Sequence, residues 1–296
     1  MSDKKKILLG TLATIAGNAI WGSGTLFTRT ALQTVRPMQL LAMRFTVAFL
    51  AIHVWLLLSG QRIRLPLKNR KLMFLGLIEP LCLISEGYGI LYTNASFAGI
   101  MVATVPIFAI FLAAQFLHEY PTRAQLLFCV LPIAGVIIIT LAGKSLGVVS
   151  ALGVFFLFLQ CLGMGGFKVL NRGISHSCTA TERTYVMMLF CMLIFDALAL
   201  VEAKGDLAAL AAPLRDMHVL LPALYLGVVC SVTANLLVNF GVSYISVTRA
   251  SSFSALSTLT AALGGVLILH EPMSLMAVVG GVLIVVGVWQ VTRRGQ

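Results

Sequence analysis

The chain has 296 residues, 59% of them hydrophobic and 10% charged, with a mean hydropathy of +0.99. Soluble domains carry roughly 25% charged residues, so this composition excludes a water-covered globular surface and points to a bundle of membrane helices. The net charge of +11 sits mostly in short gaps between apolar runs, without the aromatic-interleaved basic patch of a nucleic-acid binder, and reads as an orientation signal.

A helix needs about 20 apolar residues to cross the hydrocarbon core. Ten runs qualify in chain order: 8–27, 38–58, 72–92, 98–117, 123–142, 147–167, 184–203, 218–240, 250–269 and 273–292. The fold expected is therefore an all-α integral membrane protein with ten transmembrane helices. Met1-Ser2-Asp3-Lys4-Lys5-Lys6 before the first run imitates a signal peptide, but the run is full length and shows no small-residue cleavage site, so a retained helix is expected. Pro37, Pro121 and Pro272 lie near helix starts, where a missing N–H costs little. Five of the six cysteines, which are Cys82, Cys129, Cys161, Cys178, Cys191 and Cys230, fall inside apolar runs without CxxC spacing. They read as small buried hydrophobes rather than metal ligands or disulfide partners.

With ten spans both termini share a side. That side receives 15 Lys and Arg residues against 5 on the other, with Arg44 inside a span (15 + 5 + 1 = 21). The positive-inside rule then puts both termini in the cytoplasm, in the inner membrane of the cell.

The chain also repeats itself. Phe116-Leu117-His118-Glu119 closes one apolar run and Ile268-Leu269-His270-Glu271 closes another, 152 positions later (270 minus 118). Gly89-Ile90-Leu91-Tyr92 matches Gly241-Val242-Ser243-Tyr244 at the same offset. The halves are 1–145 and 146–296, with five spans each. An odd number of spans per half makes the second insert upside down, so the expected architecture is two inverted five-helix repeats. Glu119 then lies at the cytoplasmic end of span 4 and Glu271 at the outer end of span 9. They are candidate opposing gates; the plainer reading is that each closes one helix or starts the next.

Charge inside the membrane is costly and marks function or pairing. The candidates are Arg44 and His53 in span 2, Glu79 and Glu86 in span 3, and Asp196 in span 7. Depth matching in antiparallel spans allows Arg44–Glu86 and His53–Glu79, and helical phase prevents both. Arg44–Glu86 is the expected ion pair, either structural or functional, because a guanidinium fits a carboxylate bidentately. Glu79, beside Pro80, is left for proton or substrate contact, with Asp196 as the other coupling candidate. His53 is expected at the interface. Trp21, Asn18, Tyr88, Tyr92, Asn239 and Phe240 are candidate substrate contacts for a small amphipathic or aromatic metabolite, with ordinary helix packing as the alternative. Asn235 and Tyr244 add to this polar and aromatic set. Span 9 is dense in hydroxyls, among them Ser251, Ser254 and Ser257, which serve close packing as well as a substrate path. Lys168 reads as a positive-inside anchor, with attraction of an anionic substrate as the alternative. Arg44, Glu79 and Glu86 show no evident equivalents in the second half, where Glu79 maps to Ser231 and Glu86 to Val238.

Three stretches resemble the EamA-type carriers of the drug/metabolite transporter superfamily. Ile20-Trp21-Gly22-Ser23-Gly24-Thr25-Leu26-Phe27 looks like the family's first-helix pattern, and Pro37-Met38-Gln39-Leu40-Leu41-Ala42-Met43-Arg44-Phe45 looks like its second-helix pattern. Each half also has a small-residue fourth helix ending in Glu, followed by a Gly-rich fifth. The resemblance spans essentially the whole chain. It implies secondary transport of a small organic metabolite, such as an amino acid, mostly as export by alternating access. It implies the lipid bilayer and a small-molecule substrate as partners, protons as the candidate coupling ion, a monomer or homodimer, and no cofactor or metal. The family's mid-helix Pro is present as Pro106, but its counterpart at the same offset is Thr258. The competing readings are a membrane-embedded enzyme, a channel and a helper subunit. No HExxH, CxxC pair, GxGxxG or Walker A motif occurs, so a non-enzyme is expected.

Overall fold

The computed structural model describes residues 3–60, 69–93, 98, 101–141, 150–268 and 275–293. Among them the secondary structure is helical throughout, without strands. The main helices are α1 (Asp3–Ala31), α2 (Pro37–Leu58), α3 (Arg70–Leu91), α4 (Val105–Phe116), α5 (Arg123–Leu141), α6 (Ala151–Gly173), α7 (Ala180–Glu202), α8 (Met217–Val242), α9 (Val247–Ile268) and α10 (Leu275–Arg293). A short helix (Leu207–Ala211) and a 3₁₀ turn (Ala212–Arg215) precede α8. Seven of the described helices are long and apolar enough to cross a bilayer. The expected spans 98–117, 123–142 and 273–292 are represented by shorter apolar helices, Met101–Phe116, Arg123–Ile139 and Val278–Val291. Each adjoins residues outside the description.

Local chemistry sets several helix starts. Pro37 opens α2, where its fixed φ suits the first turn. The side chains of Asn69 and Ser150 accept from Leu72 N and Gly153 N, capping α3 and α6. Thr179 and Glu182 form a reciprocal capping box at α7. The outer surface is apolar: Leu58 is 84% exposed, Leu275 79% and Phe116 72%. This is the surface a hydrocarbon solvent requires, since backbone polar groups are satisfied inside the helices.

The main packing partners are α1 with α8 and α9, α6 with α3 and α4, α2 with α7 and α8, α3 with α7, α4 with α9, and α5 with α10. Exchanging α1 with α6, α2 with α7, α3 with α8, α4 with α9 and α5 with α10 returns each of these pairings, whereas α7–α8 and α9–α10 also pack together without a contact of matching extent for α2–α3 or α4–α5 among the described residues. Small residues bring the helices together. A Cβ built on Gly280 of α10 would lie 2.6 Å from the Gly135 carbonyl oxygen of α5, so this contact admits only glycine at its centre.

Two helices are irregular. Residues Tyr225–Thr233 of α8 are π-helical, and α9 is interrupted at Ser254, between Val247–Phe253 and Ala255–Ile268. A comparable turn at Thr104 precedes Pro106 in α4. The second half thus breaks its fourth helix without the proline. There, Ser254 Oγ donates to the Ser251 carbonyl at 2.6 Å and Ser257 Oγ to the Ser254 carbonyl at 2.7 Å, a local competition with the helix ladder of the kind that hydroxyl side chains provide.

Candidate substrate site

The inward faces of α1, α2, α3 and α8 carry the first group of polar side chains. Arg44 of α2 donates from Nε to Ser231 Oγ of α8 at 2.7 Å. Ser231 is fully buried within the π-helical segment, a geometry that recurs at functional sites. Gly227, one turn earlier, makes the approach possible: a Cβ there would lie 2.8 Å from the Arg44 carbonyl oxygen. Asn235 Nδ2 donates to the Ser231 carbonyl at 2.8 Å, and Asn18 Nδ2 of α1 to the Thr14 carbonyl at 2.8 Å. Trp21 packs against a cluster from α2 and α8 that includes Leu40, Met43, Leu226 and Cys230. Glu79 of α3 lies within electrostatic reach of Arg44, and its buried Oε2 has no hydrogen-bond partner.

The expected Arg44–Glu86 ion pair is not formed. Sequence reasoning treated spans 2 and 3 as facing neighbours, whereas α2 and α3 each pack along α7. Arg44 therefore turns to α8, and Glu79 is the carboxylate in its field. Glu86 is half-buried on the face of α3 that it shares with Glu79, seven residues on. Asp196 is not isolated: both its carboxylate oxygens accept from Thr46 Oγ1, at 2.8 and 2.9 Å, joining α7 to α2. His53 is likewise engaged, with Nδ1 3.1 Å from Tyr185 Oη and its ring stacked on Phe49.

The aromatic candidates separate from this group. Tyr88 lies nine residues beyond Glu79, about 180° around a helix. Tyr88 and Tyr92 stack on Phe156 of α6 and are 46% and 41% exposed. Phe240 meets Tyr244 edge to face at 5.0 Å. Asn239 is committed elsewhere: it accepts from Asn171 Nδ2 at 2.6 Å and donates to Thr184 Oγ1 at 2.8 Å. These belong to a network around Arg183, which is fully buried and donates to Asn171, to the Asn239 carbonyl and to Ser243 Oγ. The network ties α6, α7 and α8 together. Span counting left Arg183 in a loop. The Thr179…Glu182 capping-box spacing starts α7 at Ala180 and would have placed Arg183 inside it.

At the same end of the bundle, Glu119 joins four helix termini. Its Oε1 accepts from Arg172 Nε of α6 at 3.0 Å, and its Oε2 from the Val247 N–H that begins α9 at 2.9 Å. Arg172 also donates to the carbonyls of Val242 and Ser243 at the end of α8. His118 holds φ at +54°, the left-handed turn that brings the chain round after α4 at a cost of about 1–2 kcal/mol. Glu271 and His270 lie outside the described residues.

Lys168 of α6 sits four residues, about 6 Å along the axis, before Arg172, and its Nζ lies 3.4 Å from Ser254 Oγ at the break in α9. All six cysteines are buried and free. Among the described residues no His, Cys, Asp or Glu cluster could hold a metal ion.

Two Bacillus subtilis (strain 168) proteins are similar along nearly their whole length. The uncharacterized transporter YcxC is 33% identical over 282 residues, covering 94% of this chain and 90% of its own. The uncharacterized transporter YetK is 24% identical over 296 residues, covering 96% and 87%. A crystal structure 16% identical in sequence superposes with a TM-score of 0.82 over 97% of both chains, which establishes the fold. An all-helical, lipid-facing bundle with these relatives is a multi-pass membrane transporter. The EamA-like transporter family matches residues 8–141 and 151–293. The chain belongs to that family, of the drug/metabolite transporter type.

Proposed function

We propose that this protein is a secondary active transporter for a small organic metabolite, an amino acid or related compound, working by alternating access in the direction of export. The observation that carries the reading is the inward cluster of Arg44, Ser231 and Glu79. Burying a cation and a carboxylate oxygen that lacks a hydrogen bond costs several kcal/mol, a cost that a polar solute arriving at the site would offset. In this reading residues 1–145 and 146–296 are inverted five-helix repeats in a ten-span bundle, with both termini in the cytoplasm of an inner membrane. The main pairings that survive the exchange and the family match in two segments support it. Glu119 is the cytoplasmic gate, closed here by Arg172 and Val247, and Glu271 is its counterpart at the other face. Glu79 is the coupling carboxylate: protons and substrate compete for it.

The test is counterflow in proteoliposomes loaded with unlabelled amino acids and given labelled ones outside. A carrier accumulates label transiently, which a channel, an enzyme or a helper subunit does not. Absence of counterflow across the amino acids and their simple derivatives would reject the proposal. Proton coupling predicts pH-dependent uptake in the wild type that Glu79→Gln removes; unchanged pH dependence would reject that part alone.

A further inference from the structure

Lys168 is a cation within a membrane-spanning helix with no carboxylate at ion-pair distance among the described residues. Its single hydrogen bond is long, 3.4 Å to Ser254 Oγ. Ser254 stands at the break that divides α9, and discontinuous helices are where carriers of this architecture expose groups to charged ligands. One turn earlier, Ser251 is fully buried and its Oγ has no hydrogen-bond partner. Orphaned polar groups of this kind are rare in folded proteins and call for a physical cause. Lys168 and Ser251, on two facing helices, are therefore both short of an acceptor, while Ser254 Oγ accepts from Lys168 and already donates to the Ser251 carbonyl at 2.6 Å. What Lys168 and Ser251 lack in common is an acceptor carrying negative charge.

We infer that Lys168, Ser254 and Ser251 form an anion subsite that takes a carboxylate group of the transported solute. The inference rests on the carrier reading above and adds to it the chemistry of one end of the substrate. Lys168 supplies the charge, Ser251 a hydroxyl with no other partner, and Ser254 a second hydroxyl when it gives up its bond to the Ser251 carbonyl. A carboxylate offers two acceptor oxygens, which suits an ammonium flanked by hydroxyls. Arg44 is held by Ser231 and sits near Glu79, so it is less available than Lys168. Arg172 and Arg183 are engaged in their own networks.

The test uses the purified full-length protein in detergent. The proteinogenic amino acids and short mono- and dicarboxylic acids, each beside its amide, are screened for a shift in thermal unfolding, and every hit is titrated. The wild type is stabilised by one or more carboxylates and not by the matching amides. Lys168→Met weakens those hits by about tenfold or more, Lys168→Arg retains most of the affinity, and Ser254→Ala weakens it by several-fold, as expected for charge-assisted and neutral hydrogen bonds. The inference is overturned if no carboxylate stabilises the wild type, if amides do as well as acids, or if Lys168→Met binds as the wild type does. Should Lys168→Met unfold, Lys168→Arg and Ser254→Ala carry the comparison: equal binding by Ser254→Ala and the wild type overturns the subsite. Counterflow separates the two readings. Lys168-dependent binding without counterflow leaves the subsite standing and removes the carrier; counterflow unaffected in Lys168→Met does the reverse.

Discussion

Arg44 and Glu79 illustrate how a buried charge is tolerated without a close ion pair. The guanidinium is satisfied through one short bond to Ser231 and the field of a carboxylate that has no hydrogen bond at one oxygen. Removing one partner of such an arrangement leaves the other uncompensated, at a cost of about 3–5 kcal/mol. Arg44→Met and Glu79→Gln are each therefore expected to lower the thermal midpoint in detergent, because each leaves a buried charge without its counter-charge. Ser231→Ala should cost about 1.5–3 kcal/mol, the value of a hydrogen bond to a charged group. Equal stability of Arg44→Met and the wild type would contradict this account. Arg44 also has a partner by repeat: Asp196 lies 152 positions on (196 minus 44), a correspondence the sequence contained and that the search for equivalents passed over. Both are engaged by hydroxyls, from Ser231 and from Thr46 respectively.

Among the elements, the helix termini around Glu119 are joined by an ion pair and by bonds to the backbone of Val242, Ser243 and Val247. The ion pair with Arg172 is about one-fifth exposed on each side, so it is partly screened and modest in energy, and its value lies in joining α4, α6, α8 and α9 at one end. Arg172→Gln is expected to loosen that end and leave the rest of the bundle intact. A Ser243→Cys reporter there should label faster with a membrane-impermeant thiol reagent in the Arg172→Gln background, against low background from the six buried native cysteines; an unchanged labelling rate would remove the lock. The Arg183 network behaves differently. Its arginine is fully buried and bonds to α6 and to the end of α8, so Arg183→Met should destabilise the fold by about 3–5 kcal/mol, read as a lowered thermal midpoint. If Arg183→Met instead altered transport alone, the network would be functional rather than structural.

For the whole molecule, the main packing pairs survive exchange of α1–α5 with α6–α10, while the charges on the two sets of helices differ. Backbone approach is set by small residues at matching interfaces, such as Gly135 against Gly280, and these constrain the frame without constraining the lining. Gly135→Leu is expected to push α5 from α10 and destabilise by about 1–3 kcal/mol, the usual cost of overpacking, seen as a lower thermal midpoint; tolerance of the leucine would mean that the two helices can separate freely. The lining is then free to specialise: Arg44 and Glu79 on α2 and α3, Lys168 on α6, and hydroxyls on α9.

Much of this was legible in the chain. Apolar run length marked the helices, seven of which are described at spanning length, because a bilayer demands a fixed span of apolar residues, and the 152-residue echo pointed to two halves. Depth along single helices placed Asn18, Trp21, Arg44 and Glu79 inside their apolar runs. Which helices stand beside one another did not follow from it, because neighbours in sequence need not be neighbours in a bundle. That is why α7, packed on both α2 and α3, left Glu86 out of the expected ion pair, and why Tyr88 and Tyr92 stack on Phe156 on the face of α3 away from Glu79. The sequence left Lys168 between a positive-inside anchor and attraction of an anionic substrate, and its approach to Ser254 came only from the packing. Composition and periodicity depend on each residue's relation to lipid, which the sequence states directly; pairing depends on the lateral order of helices, which only the packed tertiary structure decides.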